Sequence, residues 1–496
     1  MMDKSKYITT TLPYANSNPH IGHAFEFIIA DALVRYFKLN GVNTFFNLGL
    51  DEHGLKIQET AQKNGQTPKE YVDELLFVWS QFLDKLNIYS YDSFYRTSDE
   101  EHKKKVQEFW NSAVERGDIY KKKYSGTYCV GCESFKLDKD LIDGRCSDHP
   151  TTELKSVEEE NYFFRLSSYK ENLKEWLNGN PEFLQPASKL AELANIIENI
   201  EDISISRLKS VVEWGVSVPG DDEQTIYVWF DALLNYIFAA GYYSEQDKKF
   251  ETLWNNSDVV QICGPDNLKF QAVIFQGLLA SAGIKKTDRL LVHGTINDAE
   301  GRKMSKTLGN VIDPIEQVDK YGVDAVRYYA LAGLRTYGNS SWDEVQLVNT
   351  YNSHLADDFG NLVSRVGHLA GKFLKDFDDD PNIVLDYFYV ESDKFCTLFN
   401  QQIDSVIKPL WDNYNISEAL EETNKLVKSL NKKFGDEEPW KKGKEGWVTI
   451  LEVHYALRKV CELYQPVFPG KISEALNSLD RCEKSVLFPK IELKSL

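Results

Sequence analysis

This chain of 496 residues has no apolar stretch long enough to cross a bilayer, which takes about 20 residues. A signal or transit peptide is not expected, because Met1-Met2-Asp3-Lys4-Ser5-Lys6 leads straight into a strand-like run. Cysteine is sparse: seven residues, an odd number spread along the chain, argue against a disulfide framework and for a reducing compartment, the cytoplasm. Positive charge is in deficit, with 57 Lys and Arg against 76 Asp and Glu, a net charge of −19. That excludes nucleic-acid binding by bulk charge, so a nucleic-acid partner has to be met by a local cluster of basic groups. What remains, 42% hydrophobic and 27% charged, is the composition of an ordinary globular protein. The length is too great for one core and predicts about two or three domains.

The chain is organised around Pro13-Tyr14-Ala15-Asn16-Ser17-Asn18-Pro19-His20-Ile21-Gly22-His23. Before it, Tyr7-Ile8-Thr9-Thr10-Thr11-Leu12 is β-branched and aromatic, a buried strand stopped by proline. After it, Phe25, Ile28, Ile29, Ala32, Leu33 and Phe37 fall at helical spacing. A strand, a loop and a helix make the first crossover of a doubly wound α/β sheet, whose ligands bind at the carboxyl ends of the strands. His20 and His23 then stand where the helix dipole and unpaired N–H groups favour an anion. Gly22 between them permits close approach of a planar ring. A second stretch, Gly301-Arg302-Lys303-Met304-Ser305-Lys306-Thr307-Leu308-Gly309-Asn310, is a loop with two lysines flanking a serine. Alone, each is more often a chance pair or a solvated basic turn; both in one chain are not readily chance.

Together, His20-Ile21-Gly22-His23 and Lys303-Met304-Ser305-Lys306 resemble the two signatures of class I aminoacyl-tRNA synthetases. Leu12-Pro13-Tyr14-Ala15-Asn16, Leu50-Asp51-Glu52-His53-Gly54, Asn161-Tyr162-Phe163-Phe164-Arg165, Val228-Trp229-Phe230-Asp231-Ala232 and Glu438-Pro439-Trp440 extend the resemblance, to the methionyl branch, along nearly the whole chain. The resemblance implies a Rossmann-like catalytic domain, ATP with Mg2+ as its companion, methionine and tRNA as partners, and phosphate roles for His20, Gly22, His23, Lys303, Ser305 and Lys306. It implies an amino-acid site of Leu12, Tyr14, Asp51, Arg207, Trp229, Ala232, Tyr236, Asp266, Asn267 and Gln271. Asp51 would hold the ammonium, although an Asp at that place could equally cap the following helix. Two rival classes stay open: a paralogue that passes another amino acid to a non-tRNA amine, and a non-catalytic tRNA-binding protein.

In chain order, residues 1–117 read as the first half of the nucleotide-binding fold, with a strand at Thr44–Leu48 and helices at Pro68–Leu86 and Glu101–Arg116. Residues 118–225 read as an insertion. In it Cys129-x-x-Cys132, thirteen residues and then Cys146-x-x-His149 have the spacing of a zinc knuckle, with Gly131 and Gly144 at the bends. Four protein ligands leave no open coordination position, so one structural zinc per chain is expected. Residues 226–345 return to the α/β fold, with strands at Thr225–Phe230, Val259–Cys263 and Leu290–Gly294 and a helix opening at Asp231. Residues 346–496 read as a helix bundle without repeats or a low-complexity tail: Tyr351–Phe373, Phe395–Trp411, Ile416–Phe434 and Val448–Tyr464, with a loop at 376–382. By resemblance this is an anticodon-binding domain. Asn361 and Arg365, four apart on one helix face, and Trp440 would read and stack unpaired bases. No separate tRNA-binding or dimerising module is expected beyond residue 496, and a monomer is the expectation. The sequence departs from the family pattern at Asn267, usually isoleucine, and Gln271, usually histidine. Either the two amides satisfy each other, or they await a polar group on the substrate.

Overall fold

The computed structural model describes residues 5–129, 134–136, 141–142, 144–146, 153–244, 248–305, 308–377 and 393–493. Six parallel strands form the central sheet in the order Ser93–Arg96, Thr44–Leu50, Lys6–Thr10, Asp258–Cys263, Arg289–Val292 and Leu184–Gln185. Ile8 stands opposite Phe46 on one side and Val260 on the other. Lys6–Thr10 and Asp258–Cys263, neighbours in the sheet, are far apart in sequence, and the strand order reverses there. That reversal is the switch point at which doubly wound sheets bind ligands. Tyr7, Ile8, Val259, Val260 and Leu290 are fully buried, as a sheet covered on both faces requires.

An antiparallel sheet is built on a long hairpin, Ile119–Cys129 against Leu154–Phe164, flanked by Ile203–Ser204 and Ser134–Lys136. A smaller one pairs Ser206–Leu208 and Ser217–Val218 with Asp221–Ile226. The strand expected at Thr225–Phe230 is therefore corrected: it ends at Ile226, is antiparallel, and Val228–Ala239 is already helix. Every residue of that helix from Phe230 to Ala239 is buried, and a helix apolar on all sides has no periodicity to distinguish it from a buried strand.

By contact, the chain forms two compact units. One comprises the segment ending at Pro19 together with Val42–Leu83 and Ser90–His293; the other comprises His20–Gly41, Asp84–Tyr89 and the chain from Gly294 onward. In the second unit, the helix Ile21–Leu39 packs with helices of the carboxyl-terminal half. Tyr36 stacks on Trp411 with centroids 5.0 Å apart and donates to Asp412 Oδ1 at 2.8 Å. Asp31, fully buried, pairs with the buried Arg327 at 2.6 Å. The Arg327 fork also donates to the carbonyls of Leu86 and Val467. Helices run over Glu344–Tyr351, Asn352–Gly360 and Asn361–Phe377, then Asp393–Gln402, Ile416–Glu437 and Gly446–Tyr464. Asn361–Phe377 is helix, so Asp376 and Phe377 of the expected loop are helical, and the rest of it, 378–382, lies outside the described residues. A last helix, Pro469–Asp480, was not foreseen. No helix of the described residues is long and apolar enough to cross a membrane.

Candidate active site

His20 is the N-cap of Ile21–Leu39, and the two imidazoles close a capping box. The Gly22 N–H donates to His20 Nδ1 at 3.1 Å, and the His20 N–H donates to His23 Nδ1 at 3.2 Å. A backbone N–H can only donate, so both Nδ1 atoms are acceptors, and in the neutral rings the proton sits on Nε2. The rings stack at 3.7 Å, 17° apart. A Cβ on Gly22 would come within 3.0 Å of the His20 ring, which is why this position takes glycine. The result is two stacked imidazoles, each accepting a backbone N–H at Nδ1, at the start of the helix Ile21–Leu39.

In the same unit the lysine loop is fastened around Asp298, which sequence reasoning missed. Asp298 accepts from the Arg302 backbone N–H at 2.7 Å, from Arg302 Nε at 2.8 Å and from Asn310 Nδ2 at 2.8 Å. The Asn310 bond, followed by those from Arg302, holds the Asp298 carboxyl below its ordinary pKa. Asn310 Oδ1 accepts the Ser305 N–H at 2.8 Å, and Ser305 Oγ accepts the Leu308 N–H at 3.2 Å. Lys303 is exposed and bridges Asn297; Lys306 lies outside the described residues.

The amino-acid candidates lie in the other unit; Leu12, Asp51, Asp266 and Asn267 follow the carboxyl ends of central strands. Asp51, 5% exposed, follows Thr44–Leu50. Its N–H donates to the Pro13 carbonyl at 3.0 Å and its carbonyl accepts from Ala15 at 2.8 Å. The backbone of Asp51 is thus joined to the segment bearing Leu12 and Tyr14. It does not cap the next helix, Leu55–Lys63, whose N-cap is Gly54. Arg207 is buried, lies 4.3 Å over the Tyr227 ring, and donates to Ser204 Oγ and the Ser206 carbonyl. Trp229, half-buried, stacks on Phe270 at 3.8 Å; Ala232 and Tyr236 are buried on the same helix. Asp266 is exposed and Asn267 partly so, in the turn after Asp258–Cys263.

Gln271 is buried, and of its two side-chain partners Tyr236 was among the candidates but Gln261 was not. The Thr287 N–H donates to Gln276 Oε1 at 3.1 Å, making Gln276 Nε2 the donor to Thr287 Oγ1 at 3.0 Å. The Thr287 hydroxyl donates to Gln261 Oε1 at 2.9 Å, and Gln261 Nε2 to Gln271 Oε1 at 2.9 Å. Gln271 Nε2 donates to Tyr236 Oη at 2.7 Å. Reversing the amides would strand the buried Thr287 hydroxyl proton, at a cost of about 1–3 kcal/mol. The chain of bonds therefore runs one way and makes the Tyr236 oxygen an acceptor from Gln271. Gln271 is satisfied by Gln261 and Tyr236, neither of the two arrangements expected with Asn267.

Of the zinc candidates, Cys129 and Cys146 are fully buried. Cys129 pairs across its hairpin with Ser134, Cys132 falling between them in sequence, and Cys146 pairs with Leu141. Cys132 and His149 lie outside the described residues, and among the described residues no group of three ligands could hold a metal. Two buried thiols at hairpin strand ends fit half of a zinc donor set. Asn361, exposed, and Arg365 share Asn361–Phe377. The Arg365 guanidinium lies 5.5 Å over the Trp440 ring and 5.2 Å over Phe434. Trp440, 40% exposed, is in the turn Pro439–Lys441.

The parallel sheet with its switch point is a Rossmann-like nucleotide-binding fold. The family model described as tRNA synthetases class I (M) matches residues 6–153 and 137–367, and the chain belongs to that family. Curated relatives along the chain are methionine–tRNA ligases. That of Caldanaerobacter subterraneus subsp. tengcongensis is 38% identical over 95% of this chain and 73% of its own length. That of Nostoc sp. is 34% identical over 96% of this chain and 90% of its own. Among solved structures, Mycobacterium tuberculosis methionyl-tRNA synthetase in complex with methionyl-adenylate superposes with a TM-score of 0.86. It is 31% identical and the match covers 96% of this chain and 93% of that one.

Proposed function

We propose that this chain is a methionine–tRNA ligase, activating methionine with ATP and transferring it to the 3′ end of tRNA for protein synthesis. The observation that carries the reading is the histidine pair, whose backbone bonds leave the proton of each neutral ring on Nε2, the tautomer that can donate to a phosphate oxygen. The methionine carboxylate attacks the α-phosphorus of ATP; the acyl–phosphate bond forms as the bond to pyrophosphate breaks. The 3′-terminal adenosine hydroxyl then takes the acyl group, releasing AMP and a proton. Such transfer is mostly positioning and charge stabilisation and needs no protein nucleophile. His20 and His23, with Gly22 keeping their backbone accessible, bind phosphate oxygens. Lys303, Ser305 and Lys306 meet the pyrophosphate charge. Asp51 takes the ammonium, Leu12 and Tyr14 flank it, and Arg207 and Asp266 shape the carboxylate and ribose end. Trp229, Ala232, Tyr236, Asn267 and Gln271 line the side-chain pocket.

Magnesium arrives with ATP as part of the substrate. Cys129, Cys132, Cys146 and His149 would hold one zinc, whose part is to stabilise the insertion of residues 118–225. Residues 346–496 bind the anticodon, with Trp440 already held beside the Arg365 guanidinium. The acceptor decides between this reading and a paralogue serving a free amine. Incubation with methionine, ATP and bulk tRNA gives acid-precipitable methionyl-tRNA under this proposal. Adenylate formed without any charging of tRNA would oppose it.

A further inference from the structure

Outside the residues assigned above, one cluster of buried titratable groups has no role. Asp231, fully buried in the first turn of Val228–Ala239, lies between Trp229 and Ala232. Its Oδ2 is 3.0 Å from Nδ1 of His53, which is 1% exposed and two residues beyond Asp51. Its Oδ1 is 3.9 Å from Nε2 of His102 on the helix Glu100–Glu115, and His102 Nδ1 is 3.2 Å from the Tyr95 hydroxyl. Burial opposes ionisation of Asp231, but His53 and His102 more than offset it and hold its pKa below the ordinary value. Burial lowers that of His102. An ionised carboxylate can only accept, so His53 Nδ1 carries the proton. The turn Asp51–Gly54 is gripped from its other side by Trp214, whose Nε1 donates to the Glu52 carbonyl and whose carbonyl accepts the Gly54 N–H at 3.0 Å.

We propose that Asp231 and His53 are positioning residues for the amino-acid site, joining the turn that presents Asp51 to the helix that presents Trp229, Ala232 and Tyr236. The bond spans 178 residues of sequence and links the proposed ammonium site to the proposed side-chain pocket at one point. The packing around it does not replace it: Asp231 Oδ1, His53 Nε2 and His102 Nε2 have no other hydrogen-bond partner among the described residues. The proposal rests on the methionine-activating reading and deepens it. Nothing in it touches the phosphate side of the reaction.

The test is methionine-dependent ATP–pyrophosphate exchange on the full chain, with thermal unfolding of each variant. His53→Leu removes the donor at similar volume, whereas His53→Asn returns an N–H near the position of Nδ1. Loss of one hydrogen bond to a buried charge predicts a rise of about tenfold in KM for methionine for His53→Leu. KM for ATP should move less than about twofold and His53→Asn should recover most of the loss, since the bond acts on one substrate's site. Asp231→Asn, which keeps shape and an acceptor, should show the same selective rise to a smaller degree and decides the matter if His53→Leu does not fold. Unchanged methionine KM in these variants, or equal rises for both substrates, overturns the proposal. Absence of methionine-dependent exchange in the native protein overturns instead the reading on which it rests.

Discussion

Replacing Gln271 with methionine keeps the length of the side chain and deletes its amide. Two bonds go with it: the one accepted from Gln261 Nε2 at 2.9 Å and the one donated to Tyr236 Oη at 2.7 Å. The bond from Gln276 is made to the backbone carbonyl of residue 271 and survives. Gln261 and Tyr236 are 1% and 2% exposed, so water cannot replace the lost partners. At about 1–3 kcal/mol for each orphaned buried group, the loss of stability comes to about 2–6 kcal/mol. Urea unfolding followed by tryptophan fluorescence measures it, an unchanged slope indicating that only stability has changed. Tyr236→Phe added to Gln271→Met should cost less than Tyr236→Phe alone, because the tyrosine oxygen has already lost its donor. A loss below about 1 kcal/mol, or strict additivity with Tyr236→Phe, would refute the one-way chain of amides. For function, Asn267→Ile with Gln271→His should keep methionine activation within about tenfold, or about 1.4 kcal/mol.

Three further outcomes follow from the site. Lys306→Ala should lower the adenylation rate by about 10²–10³-fold with little change in methionine binding, measured by single-turnover exchange; an unchanged rate would make the loop a surface turn. Trp440→Ala should weaken tRNA charging by about 1–3 kcal/mol while leaving pyrophosphate exchange intact, and equal loss of both would mean that Trp440 acts through the stability of the fold rather than on tRNA. Elemental analysis should find about one zinc per chain, and its removal should forfeit on the order of 10 kcal/mol of coupled folding energy; a fully active, zinc-free protein would exclude the site.

The parts of the fold legible in the sequence are those set by local rules. β-branched runs ended by Pro13 and Gly264, and apolar positions at helical spacing after His20, placed the strands and first helix of the switch point to within a residue or two. Val228–Phe230 was misread because burial on every side erases the pattern that separates strand from helix. The helix Pro469–Asp480 opens on Pro469-Gly470, residues that read as a turn although proline is favoured in a first helical turn. In the site, the place of His20 and His23 at the helix start was legible, but the bonds that fix their tautomers were not. The groups that hold Gln271 and Asp51 in place are ten or more residues away, as are His53 from Asp231 and Asn310 from Asp298. Partnerships of that kind depend on tertiary placement, which no periodicity or spacing encodes.

The most direct test of the account is amino-acid-dependent ATP–pyrophosphate exchange with the native chain, run separately with each of the twenty amino acids. The account predicts rapid exchange with methionine and exchange near background with the other nineteen, because Trp229, Ala232, Tyr236, Asn267 and Gln271 are assigned to one side chain. Exchange supported by another amino acid while methionine supports none would contradict it, and would make Asn267 and Gln271 the mark of a different substrate.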